Sequence, residues 1–309
     1  MNFKKPKFWD YRKPNIYAYL LFPIALILQL FQKIKITSPT ELDLNIKTIC
    51  VGNIYLGGTG KTSLSIKLNE ILKKKKIKSC FIKKFYKNQS DEQKILEKHG
   101  RLFSSKKRIN ALKQAEENNY QVAIFDDGLQ DKSIKYDLKF VCFNNINWIG
   151  NGMTLPAGPL RENLNNLANH KNIFINGNLE NVEMIKEALK NISSDLNINF
   201  GQYVPLNIDE FRKEEKYLVF SGIGNHQTFI SMIKNYGLNV FKDYEFPDHY
   251  NYSEENINKI INDAKNFNCK IITTEKDYFR LSEENRNKIN YLKIELKILD
   301  EKKIVDLVS

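Results

Sequence analysis

The residues best suited to chemistry are a run of glycines followed by a lysine and a threonine. Residues 48–51 (TICV) form a short apolar stretch rich in β-branched side chains, the signature of a buried strand. Gly57, Gly58, Thr59 and Gly60 follow, then Lys61 and Thr62, then a helical pattern over residues 63–74. Strand, glycine turn and helix in that order cradle phosphates. Glycines let backbone N–H groups crowd around phosphate oxygens, and the helix N-terminus adds partial positive charge. A lysine at this place reaches the β- and γ-phosphates, and the hydroxyl beside it serves Mg²⁺. The strict pattern has a glycine where this chain has Tyr55. The predicted nucleotide-binding residues are therefore Tyr55, Leu56, Gly57, Gly58, Thr59, Gly60, Lys61 and Thr62.

Two carboxylates complete such a site. Residues 122–125 (VAIF) predict a buried strand, and Asp126 and Asp127 end it. Ligands of parallel α/β sheets sit beyond the carboxyl ends of the strands. The glycine turn and both aspartates are then expected to face one crevice, with Thr62, Asp126 and Asp127 as candidate Mg²⁺ residues.

The elements that must position these groups alternate. Helices are expected over 64–76, 111–118, 182–191, 257–267 and from the Gly222–Gly224 turn to 236. Strands are expected over 77–82, 139–143, 173–175, 217–221 and 270–274. Pro156, Gly158 and Pro159 make residues 154–162 irregular. The fold class is α/β: a P-loop NTPase-like parallel sheet with helices on both faces, plus a second, smaller α/β lobe. The expected division is an N-terminal helix over 1–36, a P-loop nucleotide-binding lobe over 37–195, a connector over 196–215 and a C-terminal lobe over 216–309.

The chain has 309 residues and a formal net charge of +12. The basic residues are dispersed and carry no nucleic-acid-binding motif, so no nucleic-acid partner is expected. A phosphorylated or membrane-surface partner and a merely Lys-rich composition both remain. Cys50, Cys80, Cys142 and Cys269 are far apart and read as buried free thiols. The first 13 residues carry net charge +4, and residues 16–28 are apolar apart from tyrosines, with Pro23 inside them. That run is short for a spanning helix and lacks a small-residue cleavage site. It predicts a membrane-associated helix anchored by aromatics and lysines.

Six motifs in order resemble one family, the lipid A 4′-kinases or tetraacyldisaccharide 4′-kinases. They are residues 51–62 (VGNIYLGGTGKT), 126–130 (DDGLQ), 155–162 (LPAGPLRE), 222–225 (GIGN), 246–249 (FPDH) and 273–277 (TTEKD). The family tolerates a non-glycine at Tyr55. The resemblance implies transfer of the ATP γ-phosphoryl group to the 4′-hydroxyl of an acylated glucosamine disaccharide 1-phosphate. It implies ATP and Mg²⁺ as cofactors, and a lipid substrate met at the cytoplasmic face of the inner membrane of a Gram-negative bacterium. No protein partner is implied.

The resemblance also supplies roles. Lys61 neutralises charge on the transferring phosphate. Asp91, in residues 90–92 (SDE), matches the family's catalytic aspartate, and His249 the histidine that pairs with it. Glu92, Arg108, Gln130 and Arg161 match polar positions that contact substrate or phosphate, as arginine forks suit. The region 83–100 is shorter than usual for the family, and Asp131 stands where a histidine is common. Two other readings compete. A membrane-associated GTPase or ATPase switch is disfavoured because no N-K-x-D guanine motif occurs; residues 274–277 (TEKD) only echo it. The other is a soluble small-molecule kinase.

Overall fold

The computed structural model describes residues 5–34, 44–85, 90–248 and 250–308. In chain order the elements begin with α1 (Ile16–Ile34), β1 (Lys47–Gly52), α2 (Lys61–Lys74), β2 (Ser79–Lys84), α3 (Ser90–His99), β3 (Leu102–Ser105), α4 (Arg108–Glu117), β4 (Val122–Asp126) and β5 (Leu138–Asn144). They continue with β6 (Asn172–Gly177), α5 (Val182–Lys190), β7 (Asn197–Pro205), β8 (Lys216–Ser221), α6 (His226–Asn235), β9 (Asn239–Glu245) and α7 (Glu254–Asn266). The last are β10 (Cys269–Thr274), the one-turn helices α8 (Glu275–Tyr278) and α9 (Glu283–Arg286), β11 (Asn290–Leu292), β12 (Ile294–Ile298) and α10 (Glu301–Val308).

The chain forms two compact units. One comprises Lys5–Gly201 with the last stretch from Ile298, and the other Gln202–Lys297. The stretch read from sequence as a connector, 196–215, carries β7. Residues from Ile298 onward belong to the first unit and not to the C-terminal lobe. Lys47 Nζ donates to the carbonyl of Val308 at 3.1 Å, one of the bonds that hold α10 there.

The larger sheet has the order β12-β7-β6-β5-β1-β4-β2-β3. The pairings β1–β4, β1–β5, β2–β4, β2–β3 and β5–β6 are all parallel. Every residue of β4 is buried, as are five of the six in β1. Successive strand residues point to opposite faces, so unbroken burial means that both faces are covered. On one face Cys50, Cys80, Ile82, Ala123 and Phe125 pack with Ala111, Leu112 and Ala115 of α4. Farther along, Val141, Phe143, Ile173 and Ile175 pack with Ile185 and Leu189 of α5. Cys50, Cys80 and Cys142 are buried free thiols, whereas Cys269 is half-exposed, contrary to the reading of four buried cysteines. Burial pushes the Cys50 and Cys80 thiols up to about 12, which leaves them protonated and unreactive.

The second unit holds a four-stranded sheet, β11-β10-β8-β9, with parallel pairings throughout. Phe229, Ile230 and Ile233 of α6 pack against Tyr217, Val219 and Ile272, and Ile257, Ile260 and Ala264 of α7 pack against Leu218, Phe220 and Ile271. Two polar networks fix its strand ends. Asp277 is fully buried, and its carboxylate accepts from Gly222 N at 3.0 Å, Thr274 Oγ1 at 2.7 Å and Arg280 Nη1 at 3.0 Å. His226 bridges Ser221 Oγ at 2.7 Å and Asp243 Oδ2 at 2.8 Å. That Ser–His–Asp set has the order of a hydrolase triad, but Ser221 is fully buried and no substrate carbonyl can meet it.

The N-terminal helix is mostly exposed. Ala18 and Ala25 are buried, while Ile16, Leu20, Ile27, Leu30 and Phe31 each face outward. Among the described residues, no helix is long and apolar enough to cross a membrane.

Candidate active site

The glycine turn leaves the carboxyl end of β1, and Gly60 caps α2 with a φ of 75°. Gly57 also has positive φ, at 145°. Side chains resist these angles, so the glycines are what bring the turn back on itself at the start of α2. Two asparagines brace it. Asn53 is fully buried, and its Nδ2 donates to the carbonyl of Tyr55 at 2.6 Å and to Thr59 Oγ1 at 2.8 Å. From the end of β6, Asn176 Nδ2 donates to the carbonyl of Thr59 at 2.7 Å.

The irregular stretch 154–162 lies along the entry to this turn. Tyr55 pairs with Leu160, Leu56 N donates to the carbonyl of Pro159 at 2.8 Å, and Arg161 N donates to the carbonyl of Ile54 at 2.6 Å. Tyr55 is buried, and its hydroxyl meets Asp10 Oδ1 and Lys5 Nζ, each at 2.9 Å. Trp9 is buried nearby and donates to the carbonyl of Pro156 at 3.1 Å. The tyrosine that breaks the glycine pattern thus joins the nucleotide-type loop to the N-terminal segment and to the strip carrying Arg161.

The two aspartates take different surroundings. Asp126, at the end of β4, is buried. Its Oδ2 accepts from Thr62 Oγ1 at 3.2 Å and from Lys83 Nζ at 2.6 Å, and its Oδ1 from Ser65 Oγ at 3.4 Å. Asp127 sits one residue on with a left-handed φ of 59°, which turns it out of the strand toward the loop mouth. Its Oδ1 lies 3.7 Å from Lys61 Nζ and 3.2 Å from Arg161 Nη1. Burial alone would raise the pKa of Asp127. The charges of Lys61, Arg161, Lys83 and Arg108 outweigh it and hold the carboxyl below the usual carboxylate range.

Gln130 and Arg161 meet here as well. Arg161 Nη1 donates to Gln130 Oε1 at 2.9 Å, and Gln130 Nε2 to the carbonyl of Asn53 at 2.8 Å. Arg108 opens α4 and is buried, not part of a solvated basic run. Its Nη2 donates to the carbonyl of Asp127 at 2.6 Å, and its Nη1 to Asp131 Oδ2 at 3.2 Å. Glu92, in the first turn of α3, receives Lys83 Nζ at 2.7 Å. Asp91 precedes it on α3, and nothing beyond that place is described. His249 lies outside the described residues.

Sequence reasoning overlooked Lys83, Asn53 and Asn176. Each is a polar residue at the carboxyl end of an apolar strand or just past it, and that position was the available signal. Lys83 is buried between two carboxylates. Burial would lower its pKa, but Asp126 and Glu92 overcome this and raise it, so the ammonium stays charged.

The donor set suits Mg²⁺ bound with a nucleotide. Among the described residues there is no group of three or more His, Cys, Asp or Glu side chains fit to cage a metal. Mg²⁺ in phosphoryl-transfer sites takes one or two protein oxygens and draws the rest from phosphate and water. Thr62 Oγ1 at the start of α2 and Asp126 Oδ2 at the end of β4 are such a pair.

A glycine loop between strand and helix, an acidic neighbouring strand end, and arginine and lysine around the loop mouth define a P-loop phosphotransferase-type α/β protein. The sequence pattern described as "Tetraacyldisaccharide-1-P 4'-kinase" matches residues 17–104 and 90–309. The chain belongs to that family. It is 60% identical over 306 residues to the tetraacyldisaccharide 4'-kinase of Pelagibacter ubique, covering 99% of this chain and 97% of that protein. It is 36% identical over 310 residues to the protein of the same name from Rickettsia canadensis, covering 95% and 93%. The crystal structure of LpxK from Aquifex aeolicus, which is in complex with ATP, shares the fold. Its TM-score is 0.65 at 24% identity, over 94% of this chain and 96% of that one.

Proposed function

We propose that the chain transfers the γ-phosphoryl group of ATP to the 4′-hydroxyl of a tetraacyl glucosamine disaccharide 1-phosphate in lipid A (lipopolysaccharide) biosynthesis. The observation that carries this reading, beside membership of the family, is Lys61 and Arg161 converging on Asp127 at the mouth of the glycine loop.

Phosphoryl transfer is mainly positioning and charge stabilisation. Asp127 holds Lys61 and Arg161 aimed at the mouth until phosphate oxygens take its place. Lys61 then offsets charge on the transferring group. Mg²⁺, held by Thr62 and Asp126 when bound, supplies divalent charge against the triphosphate. Arg108 fixes the backbone of Asp127, and Gln130 fixes Arg161. Asp91 accepts the proton of the sugar hydroxyl, with Glu92 beside it on α3.

Incubation with Mg-ATP and the tetraacyl disaccharide 1-phosphate is expected to give the bisphosphate by mass spectrometry. Phosphorylation of some other acceptor, with none of this one, would sink the assignment. Asp91→Asn should lower kcat by about 10²–10⁴-fold while ATP binding changes only a few fold. Equal loss of both would move the base elsewhere.

The acyl chains of such a substrate lie in a bilayer. We propose that α1 docks on the cytoplasmic face of the inner membrane of a Gram-negative bacterium through Ile16, Leu20, Ile27 and Phe31, all exposed. Burying one such side chain contributes about 1.5–3 kcal/mol. The double variant Leu20→Asp, Ile27→Asp should therefore lose vesicle co-sedimentation at least tenfold and keep ATP binding. Sedimentation equal to wild type would refute the docking.

A further inference from the structure

Lys83 is 3% exposed and its ammonium touches two carboxylates from different elements. Its Nζ is 2.6 Å from Asp126 Oδ2 on β4 and 2.7 Å from Glu92 Oε2 on α3. The same Asp126 oxygen accepts from Thr62 Oγ1, and the other from Ser65 Oγ, both on α2. One buried charge therefore ties together the helix after the glycine loop, the acidic strand end and the first turn of α3. Lysine offers three donors on one compact ammonium, so it can serve two acceptors without spreading them apart. A buried ammonium is costly unless paired. Here the pairing is complete on two sides, and neither partner can move without exposing unmatched charge.

We propose that Lys83 is a positioning residue for phosphoryl transfer, fixing the α3 turn that carries Asp91 and Glu92 in register with Asp126 and Thr62. The proposal rests on the kinase reading, in which Asp91 acts on the acceptor and Asp126 on the donor side. Lys83 itself touches no reacting atom. Its effect passes through Glu92 to α3 and through Asp126 to the loop helix. A displacement of about 1 Å between the reacting partners is enough to cost on the order of 100-fold in rate.

Kinetics of three variants and one exchange measurement test it. Lys83→Met should lower kcat for transfer by about 100-fold and shift the dissociation constant for ATP by less than about threefold. Glu92→Gln keeps an acceptor for the ammonium and spares the fold, and it should lower kcat alone by about tenfold. The double variant should lose no more than Lys83→Met, because both changes cut one link. Losses that multiply, or a Lys83→Met kcat within threefold of wild type, would overturn the proposal. The exchange measurement does not depend on the kinase reading. Amide hydrogen exchange over residues 90–99 in nucleotide-free protein should quicken at least tenfold in Lys83→Met, with α5 unchanged as the internal control. Unchanged exchange there means that Lys83 does not hold α3, whatever the reaction. Failure of wild type to phosphorylate the disaccharide, with faster exchange in the variant, would fault the kinase reading and leave the link intact.

Discussion

Lys61→Met is expected to reduce phosphoryl transfer by about 10²–10³-fold in kcat, with a smaller loss in nucleotide binding. Lys61 is the first residue of α2, where the helix already contributes partial positive charge. Its Nζ rests 3.7 Å from Asp127 Oδ1, and Arg161 approaches the same oxygen. Loop and helix amides still cradle the phosphates after the substitution, so ground-state affinity falls only modestly. Charge that develops during transfer loses its nearest compensating ammonium. Removing one preorganised donor of this kind costs about 2.7–4 kcal/mol in the transition state. Arg161 does not substitute, because Gln130 Oε1 holds its Nη1 and it places no ammonium at the first residue of α2. Steady-state kinetics alongside equilibrium binding of ADP decides the matter. A variant with wild-type kcat and weakened binding would make Lys61 an affinity residue and no more.

The donor half of this site was legible because its chemistry uses residue types with few other reasons to adjoin. Glycines at Gly57 and Gly60, a Lys–Thr pair at a helix start and paired aspartates ending an apolar strand leave little freedom. The parallel sheet followed from apolar runs such as residues 122–125, which only burial on both faces explains. What stayed hidden lacked such runs. In β9 (NVFKDYE) the charged Lys242, Asp243 and Glu245 interrupt any apolar pattern, since only one side of the strand is even half-buried. The helix α3 (SDEQKILEKH) offers just Ile95 and Leu96 as apolar residues, too few to show a helical period. Lys83 was passed over for a different reason. A lysine at a strand end is usually solvated, and its burial is decided by Glu92 and Asp126, 9 and 43 positions away. Tyr55 looked like a lapse in the glycine pattern. Its neighbours Asp10 and Lys5 stand 45 and 50 positions away, and no local rule connects them.

Asp277→Ala is expected to destabilise the Gln202–Lys297 unit by about 3–5 kcal/mol, the cost of removing one partner from a buried charged network. Residues 274–277 (TEKD) look from sequence like a weak echo of a base-reading motif. The geometry gives Asp277 another task. Its carboxylate is fully buried and ties three points: the main chain at Gly222 after β8, the Thr274 hydroxyl at the end of β10 and the Arg280 guanidinium. Thr274 Oγ1 in turn receives Asp277 N at 3.1 Å and caps α8. Alanine leaves the buried Gly222 N–H without its acceptor and takes the carboxylate from a largely buried guanidinium that keeps only neutral acceptors such as the Gly222 carbonyl, and the strands β8 and β10 lose the clasp at their carboxyl ends. Single domains are stable by about 5–15 kcal/mol in all, so such a loss is a large share. At roughly 4–8 °C per kcal/mol for a small domain, the melting temperature should fall by at least about 12 °C. Asp277→Asn keeps an acceptor for Gly222 N and should recover part of it. The Thr274→Val, Asp277→Ala pair should cost less than the sum of its parts, because both changes cut one network. A thermal melt within 3 °C of wild type for Asp277→Ala, with ATP affinity lost instead, would turn the motif back into a ligand site.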